Sequence, residues 1–125
     1  VEWAKWFWGG AVHINDVTQA TLQSINLLKK QPTLDENIVL PIDGAYDYTD
    51  ADLAAWDNDG AGSTFRKYYP EHYEIVLRYG LDPAQRPEKL DMQVTQEWLG
   101  YTPTYSLRNL LQELAQYGEG GPPAP

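Results

Sequence analysis

The sequence predicts an α/β fold, an α+β-like small lobe of few short strands and about five helices. Three stretches carry that expectation. Ala11, Val12 and Ile14 suit a short buried strand that runs straight into an amphipathic helix, Asn37–Ile42 is a continuous apolar run of strand length, and Leu107, Leu110, Leu111, Leu114 and Tyr117 recur at i, i+3, i+4 and i+7.

In order, the chain opens with Trp3, Trp6, Phe7 and Trp8 ahead of Gly9-Gly10, an aromatic N-terminal segment over residues 1–10 whose rings would pack on the core or on a missing lobe. The chain starts without methionine, which reads as a cut fragment. After the first strand, Asn15 and Asp16 can cap a helix. Val17, Ala20, Leu22, Ile25 and Leu28 would then face the core and leave Gln19, Gln23 and Asn26 to water. Lys29 and Lys30 suit that helix's negative end, and Pro32 stops it. Pro41 marks the end or an edge of the second strand, because it cannot donate to a ladder.

Thr49-Asp50-Ala51-Asp52 resembles a capping box with Asp in place of Glu, opening a short helix that buries Leu53 and Trp56. Gly60–Ser63 forms a turn, Pro70 starts a helix to Tyr79, and Gly80 ends it. Asp91 can cap a helix presenting Val94, Trp98 and Leu99 up to Gly100, and Ser106 caps the last helix, which Gly118 stops. Residues 11–118 form one domain on this reading, and 119–125, rich in Gly and Pro, a disordered tail.

At 125 residues the chain is long enough to bury a core without staples, and it contains no cysteine, which excludes disulfides and thiolate metal sites and fits a reducing cytoplasm. There is no membrane-length apolar run and no secretory leader. Eighteen acids against nine bases give a net charge of −9, so nucleic acid and anionic lipid are poor partners. Any anionic ligand must be held by local arginines. The acidic run from Asp43 to Asp59 fails as a calcium loop, since aligning Gly60 to the invariant glycine puts Ala55 and Arg66 where carboxylates are required. It reads as a solvated, helix-capping surface with no metal.

Two segments carry a resemblance. Val12-His13-Ile14-Asn15-Asp16-Val17 followed by a helix resembles the F-V-H-V-x-D-V segment opening the substrate-side, C-terminal region of extended short-chain dehydrogenases/reductases, the NAD-dependent nucleotide-sugar epimerases and dehydratases. Leu90-Asp91 and then Trp98–Leu107 (Trp-Leu-Gly-Tyr-Thr-Pro-Thr-Tyr-Ser-Leu) resemble that family's closing signature. The resemblance covers roughly Val12 to Tyr117. It implies the C-terminal lobe of a Rossmann-type enzyme without the nucleotide-binding part, an isomerase or oxidoreductase context, and NAD as cofactor of the full-length enzyme.

The redox machinery itself is absent. The chain has no G-x-G-x-x-G, and none of Lys5, Lys29, Lys30, Lys67 or Lys89 has a tyrosine four residues earlier, so this chain alone is expected neither to bind NAD nor to transfer hydride. Ser24, Ser63 and Ser106 lack a nucleophile elbow, and two histidines without H-E-x-x-H make no familiar zinc site. No catalytic residue is assigned.

What remains is substrate binding. A guanidinium donates two parallel bonds to phosphate oxygens, which makes arginine the residue to seek for a sugar diphosphate. Where relatives carry Arg before their F-V-H-V run this chain has Gly9, which leaves Arg86 as the substrate-binding candidate, with Arg66, Arg78 and Arg108 at the surface. His13 is the second candidate, either touching substrate or sharing a hydrogen bond with backbone to hold its turn. The expected partner is the missing N-terminal Rossmann region. The alternative is a free-standing binding module derived from that family, with a homo-oligomer contact through Trp3, Trp6 and Trp8.

Overall fold

A computed structural model describes residues 2–10, 12–31, 37–56, 58–59 and 62–123, with only the backbone of Trp6 and Phe7. The expectations placed on Val1, Ala11, Pro32, Asp57, Gly60, Ala61, the Trp6 and Phe7 side chains and the last two residues lie outside what is described.

The α/β expectation is overturned: the described residues form helices and no sheet. In chain order these are α1 (Glu2–Trp8), α2 (Ile14–Lys30), α3 (Asp50–Ala55), α4 (Ser63–Tyr68), α5 (Tyr73–Arg78), α6 (Gln93–Leu99) and α7 (Leu107–Tyr117), with 3-10 turns at Pro70–His72 and Gly118–Gly120. The one β-type pairing among them is an isolated parallel bridge, Ala45 to Ser106. A strand needs a neighbour for its N–H and C=O groups, and neither expected strand finds one. His13 keeps extended dihedrals but serves as the N-cap of α2, and Ile14 is already helical. Asn37–Ile42 has no regular structure.

Where the chemistry is local, sequence and structure agree. Thr49 and Asp52 close a reciprocal capping box on α3, and Ser106 does the same for α7 with Asn109. Pro70 opens a helical turn, as its fixed φ favours, and Gly100 caps α6 in the left-handed conformation, φ 65°.

The core lies between α1, α7 and the α3–α5 region. Ala4, Trp8, Leu53, Trp56, Phe65, Tyr69, Val76, Leu110, Leu111 and Leu114 are buried together. Aromatic rings dominate it: Tyr48 meets Trp56 and Tyr69 edge-on at 5.5 and 5.8 Å, and Trp8 packs on Phe65 at 5.7 Å.

Helix α2 packs on a face turned from the expected one. Ala20 is buried as the periodicity indicates, but Asp16 is buried with it, Gln23 and Leu27 are half-buried, and Val17, Leu22, Ile25 and Leu28 are exposed. On α6 it is Thr95 that is buried, its hydroxyl donating to the Pro41 carbonyl at 2.6 Å, while Val94 and Trp98 stay exposed. No helix among the described residues is long and apolar enough to cross a membrane.

Candidate functional site

Two places gather the residues that sequence reasoning singled out. The first is the joint at the start of α2. Asp16, third residue of α2, is 1% exposed, and its carboxylate accepts from Thr104 N (2.9 Å), Thr104 Oγ1 (2.9 Å) and Tyr105 N (3.0 Å). A carboxylate in a first helical turn also faces the positive end of the helix dipole. Asp16 therefore does not cap α2 as expected; it ties α2 to the 101–106 segment. His13 caps instead, its Nδ1 accepting from Asn15 N at 3.2 Å, and its ring stacks on Tyr105 at 4.2 Å.

A neighbouring carboxylate holds the second half of this joint. Asp43, buried, accepts from Gly44 N, Tyr46 OH and Leu90 N at 2.9, 2.9 and 2.7 Å, and its carbonyl receives the Tyr101 hydroxyl at 2.8 Å. Burial, then the Asp16 and Asp43 charges, pushes the Tyr101 phenol up to about 12. Burial raises Tyr46 and Tyr105 as well, with Asp43 and Glu113 adding to it. These phenols stay protonated and donate. A tyrosine base needs the opposite shift.

The second place is a cleft of about 690 Å³ between α3, the 86–92 segment and α6, lined among others by Asp50, Leu53, Arg86, Lys89, Asp91 and Gln96. Its size falls in the range of small-molecule sites. The loop that presents Arg86 is fixed by two indoles, because Trp8 Nε1 donates to the Asp82 carbonyl at 2.7 Å and Trp56 Nε1 to that of Ala84 at 2.9 Å. The Glu88 carbonyl lies 2.8 Å from Tyr46 OH and shares that hydroxyl's single proton with Asp43. Arg86 spends only its Nε, on the Leu53 carbonyl at 3.3 Å, so the two terminal guanidinium nitrogens have no protein partner among the described residues. Lys89 is committed to Asp50 at 2.7 Å. One arginine fork on a braced loop is thus free for an anion.

Arg86 and His13 do not share a site. Tyr105, on which His13 stacks, lines a separate narrow cavity with Trp8, Tyr46, Tyr48 and Pro87, and none of these residues lines the Arg86 cleft. Of the tryptophans expected at an oligomer contact, Trp8 is buried and Trp3 packs against the core. Lys89 and the Tyr105 stack were missed. Their only sequence signal was proximity to the closing signature, and that does not say which side chains converge. Comparison with protein-family models, with curated proteins and with solved structures returns no match for this chain.

Proposed function

We propose that this chain is the substrate-side part of an NAD-dependent epimerase/dehydratase-type protein, helical rather than α/β, which holds the diphosphate of a nucleotide sugar through Arg86. NAD and the hydride step belong to a Rossmann-type part outside this chain. The reading is supported by the Asp16 joint: the two segments that carry the family resemblance, 88 residues apart, meet side chain to backbone at Thr104. Arg86 adds a free fork of the geometry a diphosphate accepts. The alternative of a free-standing module paired through Trp3, Trp6 and Trp8 has less support, since Trp8 is spent on the core and on Asp82.

Isothermal titration with UDP-glucose, and with UDP alone, tests the reading. Loss of a charged, two-pronged contact costs about 1.5–3 kcal/mol, so Arg86→Ala is expected to weaken binding by about 10- to 100-fold, with a loss of fold stability no larger than the one hydrogen bond to Leu53, about 1 kcal/mol. Arg86→Lys keeps the charge and loses the fork, and should recover only part of the affinity. Undetectable heat at millimolar UDP-glucose, or equal binding by Arg86→Ala, overturns the proposal.

A further inference from the structure

Helix α2 turns its apolar side away from the domain. Ile14, Val17, Leu22, Ile25 and Leu28 are 61, 38, 57, 44 and 49% exposed. Helical spacing puts Thr18 and Thr21 on the same side, where their hydroxyls donate back to the Ile14 and Val17 carbonyls at 2.9 and 2.8 Å and leave the methyl groups outward. The charges of α2 are the buried Asp16 and, in the last turn, Lys29 and Lys30. Ile14, Thr18, Thr21, Ile25 and Leu28 follow the alternating four and three spacing of a coiled-coil seam. A contiguous uncharged strip of this kind marks an interaction surface.

We infer that this strip pairs with the same strip of a second copy, the two α2 helices lying antiparallel. The central part of the strip, Ile14-Thr18-Thr21-Ile25, is palindromic, and Leu28 extends beyond it. Antiparallel pairing centred between Thr18 and Thr21 layers Ile14 on the second copy's Ile25 and Thr18 on its Thr21, with Val17 and Leu22 on opposite flanks of the seam. Small threonines meet at the centre, where helices approach most closely, and large side chains meet at both ends. Antiparallel pairing also sets the two helix dipoles head to tail and separates Lys29 and Lys30 of one copy from those of the other, which a parallel pair would bring side by side. The seam is short, so the buried area lies at the low end for a specific interface and the dimer is weak and concentration-dependent. This pairing does not rest on the nucleotide-sugar reading, and no Arg86 cleft residue takes part in it.

Sedimentation of the full chain between about 1 and 500 µM tests the pairing through its concentration dependence. Mass should rise from monomer to dimer. Ile25→Glu buries unpaired charge in the seam and should weaken association by about 100-fold or more, while helix content and melting temperature hold, because residue 25 is not part of the monomer's core. The chain has no cysteine of its own, so a mixture of Ile14→Cys and Ile25→Cys chains reports register. The mixture is expected to form the cross-linked dimer on mild oxidation and neither variant alone to do so. A monomer throughout, as when a different partner covers the strip, overturns the inference. A dimer that survives Ile25→Glu, or cross-links of each variant with itself, does the same.

Discussion

Removing the Asp16 carboxylate should unfasten the front of the chain from its back. In the folded protein both oxygens are used, Oδ1 by the Thr104 amide and hydroxyl and Oδ2 by the Tyr105 amide, all between 2.9 and 3.0 Å. Asp16→Ala deletes three bonds to a charged acceptor and leaves two backbone N–H groups without their partner. Cutting one side of a buried charged network costs about 3–5 kcal/mol. For a domain of this length that lowers the melting temperature by roughly 10–20 °C. Asp16→Asn separates the parts of this cost: its amide oxygen can still serve Thr104, but the NH₂ then faces the Tyr105 N–H, donor against donor. It should recover part of the loss and no more. Urea unfolding followed by circular dichroism reads both variants, with the midpoint falling and the slope unchanged. A loss under about 1 kcal/mol for Asp16→Ala would refute the assignment of this carboxylate as the joint, since that is the size of one ordinary hydrogen bond.

Leu111, fully buried on α7, and Leu22, exposed on α2, give a contrast within one residue type. Leu111→Ala should cost about 2–5 kcal/mol and Leu22→Ala no more than about 0.5 kcal/mol, measured by urea unfolding at low protein concentration. Asp52 accepts from Lys67 Nζ at 2.6 Å, from Thr49 N at 2.9 Å and from the Tyr68 hydroxyl, and these bonds, that of Lys67 first, hold its carboxyl below the usual range. A folded-state pKa below the unfolded value near 3.9 stabilises the fold above that value, and the contribution disappears as pH falls through the folded pKa. A carbon-13 titration of the Asp52 carboxyl should therefore show protonation at lower pH than for a model aspartate, shifting upward in Lys67→Met; an ordinary titration would remove the cluster.

Features set by a few neighbouring residues were legible in the sequence. The Thr49–Asp52 and Ser106 caps, the Pro70 start and the Gly100 stop each depend on atoms within about one helical turn, so local spacing identifies them. The strands at Ala11–Ile14 and Asn37–Ile42 depended on partners elsewhere, and an apolar run does not reveal whether a neighbour exists to pair with it. Helix α2 shows the same limit in another form. Its periodicity located an apolar stripe and its length, and Ala20 does face inward, but packing set Asp16, Gln23 and Leu27 beside it in place of Val17, Leu22, Ile25 and Leu28, because Asp16 binds the 104–105 backbone. Helix α1 was missed since its tryptophans and phenylalanine read as generic burial, with no spacing that favours helix over loop. At the candidate site, the wish for a phosphate-binding arginine led to Arg86, but the two indole bonds that brace its loop come from Trp8 and Trp56, far off in sequence.

Amide hydrogen exchange at Thr104 and Tyr105 tests most directly whether the front of α2 and the closing segment are one unit. Both amides lie outside any helix, and among the described residues their hydrogen-bond partner is the Asp16 carboxylate. They should exchange as slowly as the α7 amides in the native chain and lose that protection in Asp16→Asn at Tyr105 first. Exchange at the rate of an open peptide in the native chain would contradict the joint, and with it the observation that supports the proposed function.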